Sequence, residues 1–258
     1  MIDFGLNLNL IEKDVMRFAE DYRGQLKDKV VYIAGSGPSL DSYPNGFLDD
    51  KIGITLHLAY LKFPDATYRG VGESLIMEWL QANRPEFFTK KNIFASPLYL
   101  NVKPQRYLGS DLGKPRGWPA PIFVRYDSDW GYFARVGFEK LIKRAIAGEA
   151  TTSGTYSTVL HSILFAVLTM GSKEIHLIGC DHARSASGKV YYSLAQQVEA
   201  SGLRVRKRGR EWYRPEMCQR QKHGTALFIG TCRKYGVIIK RYIDYNHWRG
   251  QDLLGGGI

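Results

Sequence analysis

The chain alternates between short apolar runs and longer stretches in which apolar residues recur every three or four positions. Val30–Ala34, Ile52–His57, Thr67–Gly72, Asn92–Ala95, Glu174–Ile178 and Val237–Arg241 are the short runs. Their length and the turn residues that bound them predict strands. The longer pattern predicts helices. Across residues 9 to 27, Ile11, Val15, Phe18 and Tyr22 share one face, as on a helix that covers a sheet. Further helices are expected over Ser74–Ala82, Val136–Ala147 and Thr155–Met170, and from His223 to about Tyr235. Strand and helix in alternation point to an α/β class with an open, mostly parallel sheet.

Two stretches interrupt this alternation. Residues 97 to 135 are rich in proline, glycine and aromatics and keep no period. A loop of that length inside a domain is usually functional or mobile. It contains Asp127-Ser-Asp129, the bare Asp-x-Asp of metal-dependent glycosyltransferases, which reads first as a turn or a surface charge pair. Residues 183 to 222 hold Lys189-Val-Tyr-Tyr192, the run Arg204-Val-Arg-Lys-Arg-Gly-Arg210, and then Trp212, Tyr213 and Arg214. Basic residues among aromatics suit nucleic acid, phosphates, carboxylated sugars and anionic lipid heads alike. A solvated lid over the site is equally consistent with them. The organisation expected is therefore a nucleotide-binding unit over 1–182, a basic segment over 183–222, and a helix and strand over 223–258 that complete the first unit.

The chemistry is concentrated in the turns. Gly35-Ser-Gly-Pro-Ser39 follows the first strand, where backbone N–H groups and the Ser36 and Ser39 hydroxyls are available to an anion. No Gly-Lys-Ser/Thr follows, so it is not a Walker loop, and Pro38 breaks the dinucleotide fingerprint. His57 lies at the end of the second strand. Thr151-Thr-Ser-Gly-Thr-Tyr156 precedes a long helix, as a cap or an anion site. Gly179-Cys-Asp-His182 ends the strand at Glu174–Ile178. In an open α/β sheet these ends face one crevice.

Composition narrows the setting. With 44% hydrophobic residues the chain has material for a packed core. No apolar run is long enough to span a bilayer, and the first residues lack a signal-peptide pattern. The three cysteines, Cys180, Cys218 and Cys232, have no metal-ligand spacing and suggest a reducing, cytoplasmic setting. A net charge of +11 favours anionic partners without choosing among them.

Two blocks resemble a known group. Tyr32-Ile-Ala-Gly-Ser-Gly-Pro-Ser-Leu-Asp41, and Thr152-Ser-Gly-Thr-Tyr156 with Gly171-Ser-Lys-Glu-Ile-His-Leu-Ile-Gly-Cys-Asp181, are similar to bacterial sialyltransferases of glycosyltransferase family 42 and to the 6-hydroxymethylpterin pyrophosphokinase-like domain family. The resemblance implies a Rossmann-like sheet with helices on both faces and a small lid subdomain, holding a cytidine nucleotide sugar. It assigns Gly35, Ser36, Gly37, Ser39, His57, Thr152, Ser153 and Gly154 to the donor. It makes Tyr191 and Tyr192 lid tyrosines on the donor phosphate, His223 the general base, and Asp181 a further catalytic residue. Ser36 and His57 stand where those sialyltransferases carry asparagines.

The activity so implied is transfer of a sugar from a nucleotide-activated donor to a glycan or other hydroxyl acceptor, with no metal. Two rivals are a magnesium-dependent pyrophosphokinase acting on a pterin-like hydroxymethyl group, with Asp181 and Asp127 or Asp129 on the metal, and a non-enzymatic protein that binds nucleic acid or an anionic surface through Arg204–Arg214. Nucleic acid is not expected as a partner of the enzyme. An anionic membrane surface and a second copy of the chain are compatible ones.

Overall fold

A computed structural model of the chain describes residues 21–71, 74–88, 93–95, 122–123, 138–149, 159–181, 192–200 and 215–250. Seven strands form one parallel sheet: β1 (Val30–Ala34), β2 (Ile52–Leu56), β3 (Tyr68–Val71), β4 (Ile93–Ala95), β5 (Ile122–Phe123), β6 (Glu174–Ile178) and β7 (Ile238–Arg241). Their order is β5-β4-β3-β2-β1-β6-β7. The chain builds outward from β1 to β5, crosses back, and adds β6 and β7 on the other side of β1. The five strands β3-β2-β1-β6-β7, counted in their own sequence order, thus run 3-2-1-4-5, a Rossmann-like order whose switch point lies between β1 and β6.

The strands are apolar because both faces of a parallel sheet are covered. Successive side chains take opposite faces. Val31, Ile33, Ile175 and Leu177 enter one core, while Ala34 and Ile178 enter the other. The first core is closed by α2 (Phe138–Ile146), α3 (Val159–Thr169) and α5 (Pro215–Lys234), through Leu141, Leu164 and Phe228. The second is closed by α1 (Ser74–Asn83), α4 (Ser193–Ala200) and two short 3-10 turns, Pro38–Ser42 and His57–Leu61. The partly buried Trp248 of α6 (Tyr245–Gly250) packs on this second core. Leu80, Ala195 and Leu58 are among the contacts there. Burying such a side chain contributes about 1.5–3 kcal/mol, so the two aliphatic layers hold the strand ends in register.

Several expected boundaries move. His57 is outside β2, because its backbone turns left-handed at φ 52° and ends the strand at Leu56. β5 and α6 arise in stretches with no legible period, since two and six residues are too few to display one. α4 lies inside the segment expected to interrupt the fold, and α5 begins at Pro215 rather than near His223. A proline at the first helical position is well suited to that start. Of the helix expected over 9–27, residues 9–20 lie outside the described residues, and only Asp21 and Tyr22 are helical before the chain turns over 23–28. The Asp127–Asp129 loop and the Arg204–Arg214 run also lie outside the described residues.

α5 also tests how tightly its outer side is constrained. Gly230 is exposed in mid-helix, and a Cβ there would meet nothing within 4 Å. Gly230→Ala is expected to raise stability by about 0.5–1 kcal/mol in urea unfolding, because glycine is the weaker helix former. A loss of stability would show that the surface of α5 is covered.

Candidate functional site

At the switch point the turns after β1 and β6 are pressed together, and glycine is what allows it. Gly35 N donates to Ile178 O at 2.8 Å, and Gly37 N donates to Gly179 O at 2.8 Å. A Cβ on Gly35 would lie 2.5 Å from Gly179 O. A Cβ on Gly37 would lie 2.7 Å from that same oxygen and closer still to the Asp181 carboxylate. Gly179 itself is left-handed, at φ 60°. The glycines expected to admit a ligand to the backbone therefore first admit one turn to the other.

The same geometry consumes the loop's polar groups. Ser39 N donates to Asp181 Oδ2 at 2.9 Å, and Leu40 N donates to Gly37 O at 3.1 Å. Ser36 Oγ donates to Leu56 O at 2.9 Å and accepts from Ala59 N at 3.0 Å, tying the β1 turn to the turn after β2. Ser36 O accepts from Tyr192 N. The expected anion cradle of free N–H groups is in large part an internal clasp.

Asp181 is the acidic group at the centre. Burial raises its pKa above the ordinary carboxylate value, while the bonds from Ser39 and the positive field of Arg241 act in the opposite direction. The Ser39 hydroxyl lies beside the same carboxylate, yet its buried oxygen makes no hydrogen bond of good geometry. Cys180, next in chain, is buried and its thiol is pushed up to about 12, so it is inert as a nucleophile at neutral pH. Arg241, at the tip of β7, was not singled out by the sequence reading. Its signal was only a Lys240-Arg241 pair closing the last strand, which composition hides among 36 lysines and arginines.

His57 sits on the neighbouring wall. Its left-handed backbone is uncommon for a non-glycine residue. Its Nε2 is buried without a partner, and burial alone lowers its pKa to about 4, so the ring is neutral at physiological pH. Thr55 Oγ1, at the end of β2, is likewise buried and unpartnered.

The lid tyrosine Tyr192 takes a different place from the one expected. It is 1% exposed, and its hydroxyl donates to Leu58 O at 2.6 Å. With its phenol committed and its pKa raised by burial, Tyr192 anchors the start of α4 instead of facing a donor phosphate. Asp41 completes that anchor: both its carboxylate oxygens accept from Ser193 N, at 2.9 and 3.0 Å, and Oδ2 also accepts from Ser193 Oγ at 2.8 Å. Tyr43 Oη donates to Asp244 O and Ser42 Oγ accepts from Tyr245 N, so the segment leading into α6 is fastened to the same turn.

His223 is exposed in the third turn of α5, away from the helix start where the sequence reading put it. Two residues on, buried Thr225 shares a 3.0 Å hydrogen bond with His161 Nε2 of α3. Residues two apart on a helix point about 200° apart, so His223 faces away from that junction. No hydrogen bond joins it to Asp181 or Ser36 among the described residues. Thr152, Ser153, Gly154 and Tyr191 lie outside the described residues.

Beside the switch point, a groove of about 480 Å³ runs between α1, α4 and the turn at His57–Leu61, lined in part by Tyr60, Trp79, Arg84, Glu86 and Gln197. The buried Arg69 supports its floor, stacking on Tyr60 and donating to Pro64 O, Glu86 O and Phe87 O. Among the described residues, no three His, Cys, Asp or Glu side chains converge to hold a metal ion, and no helix is long and apolar enough to cross a membrane. No protein-family model, no curated protein and no solved structure matches the chain.

Two stability measurements follow. Gly35→Ala and Gly37→Ala are each expected to cost about 1–3 kcal/mol in urea unfolding, the usual cost of overpacking; a change below about 0.5 kcal/mol would mean that the two turns separate freely. For Asp181 the folded pKa is raised, so its ionised form weakens folding at neutral pH, and that penalty fades as pH falls through the folded value. Asp181→Asn should then be at least as stable as the parent at about pH 7, with the difference closing near pH 3.5. A variant less stable at neutral pH would make Asp181 a structural anchor.

Proposed function

We propose that this chain is a transferase that holds a nucleotide-activated sugar across the β1/β6 switch point and passes the sugar to a hydroxyl acceptor. The observation that carries the reading is the paired turn itself. In open α/β sheets ligands bind outside the carboxyl ends of the strands where the order reverses. Here that point carries an aspartate kept in a partly buried site at a cost, a combination that favours function over packing.

The chemistry of two side chains supports the link to the sialyltransferase-like group. At residue 57 that group has asparagine, and the left-handed backbone there is one that asparagine adopts readily. At residue 36 the Ser36 hydroxyl both donates and accepts. An asparagine amide is able to do both as well. The two departures thus keep the local conformation and bonding that the motif needs.

In this reading Asp181 holds a hydroxyl of the donor through the carboxylate oxygen not bonded to Ser39. His223 is carried into this reading as the base that the resemblance assigns, exposed on α5. General-base assistance is worth about 100- to 10,000-fold. Departure of the phosphate is assisted by cations and N–H groups, without a metal.

The test is thermal shift against cytidine, uridine, guanosine and adenosine mono- and diphosphates, followed by donor turnover in EDTA. One base should stabilise by about 2.7 kcal/mol at 100 times its dissociation constant. His223→Ala should lose at least about 100-fold in turnover with that shift unchanged. Absence of any shift would remove the nucleotide reading; full activity of His223→Ala would remove the base; loss of turnover in EDTA would favour the magnesium-dependent pyrophosphokinase.

A further inference from the structure

We propose that the amino-terminal edge of the sheet, at the entries of β1, β6 and β7, is a docking surface for an anionic lipid bilayer. The proposal is independent of what the crevice binds, because the crevice lies at the carboxyl ends of the same strands.

The turns that enter these strands are bound into one platform. Leu26 N donates to Met170 O at 2.8 Å, Ser172 Oγ donates to Lys29 O at 2.9 Å, and Ile238 N donates to Lys173 O at 2.8 Å. Lys27, Lys29 and Lys173 are exposed in the turns before β1 and β6, and Arg233 and Lys234 are exposed in the last turn of α5, just before β7. The helix dipole accounts for cations in the last turn of a helix. It does not account for Lys27, Lys29 and Lys173, which lie outside the helices. Among the described residues none of the five is in a salt bridge. Of the acids nearby, Glu174 is held by His176 and Lys240, Glu149 pairs with Arg144, and Glu139 accepts from Tyr235. Asp28 stands exposed between Lys27 and Lys29. Asp49 and Asp50 are at the entry of β2, on the other side of β1 from β6.

The same rim is apolar on one face. Val30, Glu174 and Ile238 are in register across β1, β6 and β7, so their side chains share a face, with Val30 and Ile238 about 10 Å apart. Val30 is 39% exposed and Ile238 45% exposed. In a parallel sheet such positions are ordinarily covered.

Cations beside exposed aliphatic side chains discriminate between anionic partners. A phosphodiester backbone takes the charge but offers nothing to valine and isoleucine. At a bilayer surface lysines meet the headgroups while aliphatic side chains enter the acyl boundary. Four of the five cations are lysines, point charges suited to a diffuse surface more than to forked recognition of one phosphate. Single-stranded nucleic acid also requires rings on which bases stack. Tyr235, next to Lys234, is taken by Glu139 and by Lys143, whose ammonium lies 5.0 Å from the ring centroid. With this edge on the bilayer, the crevice faces water and is open to a soluble ligand.

The test is sedimentation of the full chain with vesicles of equal parts phosphatidylcholine and phosphatidylglycerol, against vesicles of phosphatidylcholine alone and against random-sequence DNA. The parent is expected to bind the anionic vesicles, to leave them at high salt, and to ignore the neutral ones. Lys29→Ala combined with Lys173→Ala should weaken partitioning about 25-fold, at about fivefold for each cation near an anionic surface. Lys62→Ala combined with Lys222→Ala, the same loss of charge elsewhere, should bind as the parent does. Ile238→Ser should weaken binding at least about threefold through lost apolar burial; if that variant fails to fold, Val30→Ser provides the same comparison. No vesicle binding by the parent, an equal loss in both double variants, or indifference to the aliphatic substitution would overturn the proposal. DNA binding that is tighter than vesicle binding and is lost with Lys29 and Lys173 would overturn it in favour of nucleic acid.

Discussion

The close approach of the β1 and β6 turns governs the rest of this structure. Two N–H groups of one turn end on carbonyls of the other, and the space for that contact exists only because Gly35, Gly37 and Gly179 have no side chains. Once they meet, Ser39 is brought onto Asp181 and Ser36 is brought between Leu56 and Ala59. Asp41 and Tyr192 then fix α4, and Tyr43 fixes the segment before α6. One sterically demanding junction thus sets the walls of the crevice on three sides. A buried hydrogen bond contributes only about 0.5–1.5 kcal/mol net, so the arrangement depends on the whole set forming together.

This junction also explains why a motif read as a ligand loop is so fully bonded within the protein. A crevice at a switch point has to be rigid before it is selective, and the polar groups nearest the sheet are used for that rigidity. Among the described residues, the buried polar atoms without a well-formed hydrogen bond are Ser39 Oγ, Thr55 Oγ1, His57 Nε2 and Arg69 Nε. Leaving polar groups unpaired inside a protein is unfavourable.

How much of this could be read in advance follows from the length of each signal. β1, β2, β3, β4, β6 and β7 were legible because parallel strands buried on both faces are written as apolar runs. α3 was legible from its apolar face, and the meeting of the Ser36 turn with the Asp181 tip was expected because strand ends in an open α/β sheet face one crevice, which the pairing of β1 with β6 bears out. β5, α4 and α6 were not, being short or set in stretches where prolines and charges mask the period. The roles of Ser36 and Tyr192 were missed for a different reason. Sequence gives a hydroxyl its chemistry but not its partner, and here Leu56 O, Ala59 N and Leu58 O are partners brought by tertiary packing.

The central claim is that the ligand of this protein lies over the β1/β6 junction. A crystal structure with the nucleotide that gives the largest thermal shift tests it most directly. The account predicts density over the Gly35–Ser39 turn and Asp181, with a ligand hydroxyl on the aspartate. Density confined to the groove lined by Tyr60, Trp79 and Gln197, with the junction filled only by solvent, would contradict it.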